Sequence, residues 1–191
     1  MRIIDFDELL HSEFQKLSTT FWSSNEIIDL TIDWLELNST SRVLDIGSGV
    51  GKFCVLGSQI SDASFTGVEI RKNLVAEAKR LANKLELDNC VFIHSDVRDF
   101  DFQEYDSFFY YNPFCEHIAI DEVIDNTIEF SRENHRKYEE LMFEKLKTLS
   151  VGIKIITYCS SDFILPRNYH LIKTNGDSTL ALWVIKNNDA I

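Results

Sequence analysis

The sequence predicts a doubly wound α/β fold, with a mainly parallel sheet of about seven strands, a terminal antiparallel hairpin and an N-terminal helical cap. Three observations predict it. Short apolar runs with strand character alternate with segments of helical periodicity. The first run, Arg42-Val43-Leu44-Asp45-Ile46, opens into a turn with glycine at alternate positions, Gly47-Ser48-Gly49-Val50-Gly51. The first four runs each finish at a polar residue: Asp45, Glu69, Asp96 and Asn112. Open α/β sheets bind ligands at that carboxyl edge.

The elements follow in chain order. Asp7–Lys16 reads as a short helix, and Ser23-Ser24-Asn25-Glu26 supplies a capped start for a second. Ile27, Ile28, Leu30, Thr31, Trp34 and Leu35 give that second helix one apolar face. Asn38-Ser39-Thr40-Ser41 is the loop into the first strand, and Lys52 to about Ile60 is the helix after the glycine turn. Phe65–Glu69 is the second strand. Lys72–Leu85 follows as a helix, with Leu74, Val75, Ala78, Leu81, Ala82 and Leu85 inward and its basic residues largely on a solvated face. Cys90–His94 and Ser107–Tyr111 are the third and fourth strands.

After Phe114 comes an acidic insertion in which Ile120, Val123, Ile124, Thr127 and Ile128 have helical spacing. A polar knuckle, Ser131–Arg136, separates it from a helix over Tyr138–Leu149. Val151–Tyr158 is the fifth strand. His170–Lys173 and Thr179–Ile185 close the sheet as a hairpin around Asn175-Gly176, a pair that favours the turn matching strand twist. With no repeat, proline-rich linker or low-complexity tract, one domain is expected over 1–191: a helical cap to residue 40 and a core over 41–188.

The glycine turn has a chemical reading. One glycine permits the sharp exit from the strand, one lets a ligand approach bare backbone, and one lets the helix pack closely on the sheet. The helix N-terminus offers unpaired N–H groups to an anionic part of a ligand. Glu69, ending the second strand, is placed to accept both hydroxyls of a ribose. A nicotinamide-dependent oxidoreductase is the rival for such a loop, but its usual spacing is Gly-x-Gly-x-x-Gly and here the third glycine comes one residue early.

Composition bounds the partners. The chain has 191 residues, enough for a full core, and its 14 phenylalanines suggest an aromatic one. Its net charge of −12 argues against nucleic acid, whose affinity rests on phosphate neutralisation; Arg132–Lys137 is the densest basic stretch. The same charge suits a cationic ligand, or serves solubility alone. Cys54, Cys90, Cys115 and Cys159 lack metal-ligand or disulfide-framework spacing, so no metal is expected. The acidic, interrupted N-terminus does not read as a signal peptide and no run has membrane-span length, so a cytoplasmic protein is expected.

Asp45, Gly47, Gly49 and Gly51, then Glu69, then Asp96 with Val97, then Asn112 to Phe114 together resemble the class I S-adenosylmethionine-dependent methyltransferases over roughly residues 40–188. The resemblance implies a Rossmann-like seven-stranded fold and S-adenosyl-L-methionine as cofactor. It assigns Asp45 and the three glycines to the methionine moiety, Glu69 to the ribose, and Asp96 and Val97 to the adenine. Asn112 would lie beside the sulfonium and the acceptor. It also places the helix that starts at Ser23-Ser24-Asn25-Glu26 over the cofactor cleft, so that Thr19, Thr20, Phe21 and Trp22 before it either close the site or cover the sheet edge.

The acceptor is read from Asn112-Pro113-Phe114. Enzymes of this superfamily that methylate adenine or glutamine amides carry Asn/Asp-Pro-Pro-aromatic, and this chain has one residue fewer. Its Asn-x-Phe form, with the glycine motif and Gly67-Val68-Glu69, resembles the non-SET histone-lysine methyltransferases over these short motifs. The favoured acceptor is therefore an amine on a protein or small molecule. Asn112, Phe114 and His117 are the candidate catalytic residues; His117 titrates near neutrality and follows the fourth strand closely. Glu116 and Asp162 could face the same rim. A cofactor-binding partner subunit without turnover is the alternative from another class.

Overall fold

The computed structural model describes residues 5–119, 121–160, 163 and 165–187. Four helices precede the sheet: α1 (Phe6–Leu9), α2 (Ser12–Gln15), α3 (Ser18–Phe21) and α4 (Asn25–Leu35). Then follow β1 (Arg42–Ile46), α5 (Lys52–Ile60), β2 (Ser64–Glu69), α6 (Lys72–Lys84), β3 (Cys90–His94) and β4 (Ser107–Tyr111). The last elements are α7 (Arg132–Lys147), β5 (Lys154–Tyr158), β6 (Tyr169–Thr174) and β7 (Leu180–Ile185).

The seven strands form one sheet in the order β3-β2-β1-β4-β5-β7-β6. β1 to β5 are mutually parallel, and β7 runs antiparallel between β5 and β6. The fold is thus the Rossmann-like doubly wound sheet expected. The chain winds outward from β1 to β3, then returns to place β4 on the other side of β1. That reversal opens a crevice at the carboxyl ends of β1 and β4. Asp45 pairs in register with Phe109 and Ile46 with Tyr110, so the glycine turn and Asn112 emerge side by side.

Alternation along the strands splits the core into two layers. Val43, Phe65 and Phe109 face α4, α5 and α6; Leu44, Phe108 and Ile155 face α7 through Met142 and Leu146. The phenylalanines carry much of the first layer. Phe53 stacks on Phe109 at 4.2 Å and meets Phe65 edge-on at 5.9 Å. No helix among the described residues is long and apolar enough to cross a membrane.

Four local expectations are corrected. The helix expected over Asp7–Lys16 is broken into α1 and α2, because Leu10 and His11 are extended and the His11 N–H is taken by Glu77 Oε1 at 2.8 Å. The insertion after Phe114 contains no α-helix among its described residues. Its carboxylates displace the helical ladder: Glu116 Oε1 accepts the Ile124 N–H at 2.7 Å and Asp125 Oδ1 accepts that of Thr127 at 3.0 Å. Ile120, Asp162 and Asn188 lie outside the described residues. The polar knuckle is the start of α7, capped by Ser131, whose Oγ accepts the Asn134 N–H. The Asn175-Gly176 turn is a longer loop, with Ser178 left-handed (φ 61°) and the Asn175 carboxamide oxygen accepting the Leu180 N–H at 2.8 Å.

Candidate cofactor cleft

A cavity of about 270 Å³ opens at the reversal point between β1 and β4. Asp45, Gly47, Gly49, Glu69, Asp96, Val97, Asn112, Phe114 and His117 all line it. Four separate strand ends are brought together because parallel neighbours in register finish at the same edge. Gly51, and Thr19 of the segment before the second cap helix, do not reach the cavity wall.

Gly51 caps α5 in a left-handed conformation (φ 80°), and a Cβ there would strike the Phe92 ring and come within 3.0 Å of the Ala78 methyl. Its bareness lets the helix pack on β3 and α6. Gly49 (φ 55°) is also left-handed, but what approaches its α-carbon is the ring of Trp22, 2.8 Å from where a Cβ would stand. Trp22 therefore lies on the glycine turn and lines the cavity with Thr20 and Phe21, rather than only covering a sheet edge. The cap is fastened there by Lys52, the first residue of α5, whose buried ammonium pairs with Asp7 at 3.0 Å.

Glu69 is buried, and both of its oxygens accept main-chain N–H groups: Oε2 from Gly49 at 3.0 Å and Oε1 from Arg71 at 2.8 Å. Burial nonetheless pushes its pKa up, outweighing those bonds. A carboxylate has about four lone-pair sites, so each oxygen retains room for a ribose hydroxyl. Asp45 points to the α5 side of the sheet, where its hydrogen-bond donor is the Cys54 thiol at 3.6 Å. Burial, with Glu69 adding repulsion, pushes its pKa up to about 8. A buried carboxyl group whose donor among the described residues is a thiol is a poor apo arrangement and, once ionised, a good partner for a cation, which is the character of the sulfonium and ammonium of S-adenosylmethionine. Ile70 and Val97 supply apolar walls beyond Glu69.

Asp96 is more heavily committed than its place at the end of β3 suggests. It caps the 3₁₀ turn Val97–Asp99 and binds Arg98 through Nε at 2.8 Å and Nη2 at 2.6 Å. It also accepts the Tyr138 hydroxyl at 2.8 Å. Partial burial raises its pKa, but Arg98 and these bonds outweigh that and hold it below the ordinary carboxylate value.

Asn112 stands in the left-handed region (φ 39°), and Pro113 packs onto Gly47. The Asn112 main chain is committed: its N–H donates to Ser160 Oγ at 3.1 Å and its carbonyl accepts from Cys115 at 3.1 Å. Phe114 stacks on Tyr138 at 4.6 Å, and His117 lies against the same ring at 5.4 Å. The Ser131 N–H donates to His117 Nδ1 at 3.3 Å, which assigns the proton of the neutral ring to Nε2. Burial, then the charges of His135 and Arg71, lower its pKa. The neutral ring thus has its Nδ1 taken by Ser131 and carries its proton on Nε2.

Ser48, Lys52, Arg71 and Tyr138 also line the cavity, and no motif in the sequence marks them as site residues. Lys52 and Arg71 were legible only by position, one beginning the helix after the last glycine and the other two residues past Glu69.

A doubly wound sheet with this strand order, its glycine turn and its acidic strand ends together define the class I methyltransferases. The chain belongs to the methyltransferase-domain family, whose model matches residues 37–183. It is similar to the 23S rRNA (uracil(1939)-C(5))-methyltransferase RlmD of Shewanella frigidimarina, 38% identical over 71 residues, which are 37% of this chain and 15% of that protein. It is also similar to the ribosomal RNA small subunit methyltransferase A of Wigglesworthia glossinidia brevipalpis, 26% identical over 70% of this chain and 50% of that one. The chain thus spans half or less of the length of these relatives. In fold it is similar to an RNA methyltransferase from Salinibacter ruber, solved with S-adenosyl-L-homocysteine, at 20% identity and a TM-score of 0.61 over 88% of this chain and 95% of that one.

Proposed function

We propose that the chain transfers the methyl group of S-adenosylmethionine to an amine nitrogen, on a protein side chain or a small molecule. The observation that carries this is the placement of Asn112 on the cavity wall with both main-chain polar groups committed and no hydrogen bond to its carboxamide among the described residues. Such a carboxamide oxygen can accept an N–H of the acceptor and turn the nitrogen lone pair toward the cofactor. The cofactor supplies an activated methyl carbon on a sulfonium, so the protein has chiefly to align and to exclude water. In this reading Asp45 and the turn at Gly47–Gly49 hold the methionine end, Glu69 the ribose, and Val97 the adenine. Gly51 acts one step back, by seating α5. Phe114 shapes the acceptor side, and His117 supports that wall through Tyr138 and Ser131.

The Asn-x-Phe form shared with non-SET histone-lysine methyltransferases supports an amine, as does the net charge of −12, which favours a cationic partner over a polyanion. A second reading, methylation of an RNA base, is favoured by the ribosomal RNA methyltransferases among the relatives. Incubation of cell extract with radiolabelled cofactor, followed by separation into nucleic-acid, protein and small-molecule fractions, decides between them. Label in protein or small molecules supports the amine. Label confined to nucleic acid, resistant to protease and lost with nuclease, overturns it. No label in any fraction beside an active control would favour a binding subunit without turnover.

A further inference from the structure

We infer that Arg71 is a positioning residue, one guanidinium that fastens the connection between β4 and α7 against the ribose carboxylate and so builds the far wall of the cofactor cleft. Arg71 is 5% exposed. Its Nη1 and Nη2 each lie 2.9 Å from a separate oxygen of buried Glu116, a paired fork geometry that Lys cannot reproduce. Its Nε bonds Asp125 at 3.1 Å, and Asn73 reaches the other oxygen of Asp125 at 3.2 Å. Its own N–H holds Glu69. Phe130 lies 5.6 Å from the guanidinium carbon.

These contacts form a chain with a direction. Glu116 Oε1 also accepts the Ile124 N–H, so a segment with no α-helix among its described residues is pinned at 116, 124 and 125 onto the start of α6. That segment presents Ile124, Ile128 and Phe130 to the cavity. The lining of that wall therefore depends on one buried cation, and the same residue touches the carboxylate read as the ribose acceptor. Buried ion clusters are weak devices for stability, because desolvation offsets attraction. Retaining a fully buried Arg between two acids at a cleft wall is better explained by geometry.

The test uses the full chain and S-adenosylhomocysteine as the probe, and it rests on this cavity being the cofactor site. Binding is measured by calorimetry for Arg71→Lys, Arg71→Met and the paired variant Arg71→Met/Glu116→Leu, with thermal unfolding alongside. The pair removes both buried charges, so it keeps the fold even where the single change does not. The expected result is a loss of about tenfold or more in affinity for all three, the scale of a charge-assisted hydrogen bond. The pair is expected to melt near the wild type while binding stays weak, and the 121–130 amides to exchange faster in it. Restored stability with restored affinity would overturn the proposal, leaving Arg71 a structural ion only, as would unchanged binding in Arg71→Met. A wild-type chain that binds no S-adenosylhomocysteine would overturn the cofactor reading itself, and is told apart because no variant is needed to see it.

Discussion

The main-chain N–H of Gly49 donates to Glu69 Oε2 at 3.0 Å, tying the glycine turn after β1 to the acid that ends β2. The turn and the acid are one unit. Replacing Glu69 by Ala should thus do two things. It should weaken cofactor binding by about 1.5–3 kcal/mol, the range for hydrogen bonds to a charged group, and it should destabilise the apo fold by about 1–3 kcal/mol through the orphaned N–H groups of Gly49 and Arg71. Calorimetry reads the first and denaturant unfolding the second.

Asp45 makes cofactor affinity and stability respond to pH in opposite senses. Its folded pKa is raised from 3.8 to about 8, so between those values the folded state holds a proton that the unfolded state has released. Its contribution to stability is therefore lost as pH rises through that window. Binding of a cation requires the ionised form, so affinity for S-adenosylmethionine should climb with pH and level off above about 8. Asp45→Asn should flatten both profiles, stabilise the apo protein at pH 9 and bind the cofactor more weakly.

The two left-handed glycines should separate cleanly. Gly51→Ala drives a methyl into Phe92 and Ala78 away from the cavity, so it should lower the melting temperature. Gly49→Ala drives a methyl into Trp22 at the cavity wall. Trp22→Ala should relieve that clash, so the Gly49→Ala/Trp22→Ala pair should be more stable than Gly49→Ala alone. Additive losses in a double-mutant cycle would contradict the contact.

His117 should leave an acid-side signature. Its pKa is lowered, so below about 6.5 the unfolded state binds the extra proton and stability falls as pH falls. His117→Phe should reduce the slope of stability between pH 7 and 5. If His117 instead supplied an essential base, loss of activity in this variant would follow the loss of a matching pKa in the rate profile.

Much of this was legible in the sequence, for definite reasons. Strands buried on both faces are continuous apolar runs, and glycines at a strand exit have few other uses, so β1, β2 and β4 could be read directly, as could the edge that gathers Asp45, Glu69, Asp96 and Asn112; β3, exposed at Val91 and Ile93 on the sheet edge, was apolar all the same. What could not be read depends on partners distant in sequence. His11 breaks a helix because Glu77 takes its N–H, and Glu116 holds Ile124 only because Arg71 is there to hold Glu116. The first turns of α7 were hidden by their polarity, since Glu133–Lys137 and Arg136–Glu140 pairs leave no apolar stripe. Trp22 was visible as a residue near the cleft, but its seat on Gly49 was not.

S-adenosylmethionine is expected to bind this cleft through Asp45, Glu69 and the glycine turn. The decisive measurement is titration calorimetry of the wild type, Glu69→Ala and Asp45→Asn with S-adenosylmethionine, and of the wild type with NAD. One site of about 1–100 μM is expected in the wild type, roughly −5.5 to −8 kcal/mol, weakened in both variants, with no heat from NAD. Binding of NAD alone, or S-adenosylmethionine binding that both variants leave unchanged, would contradict it.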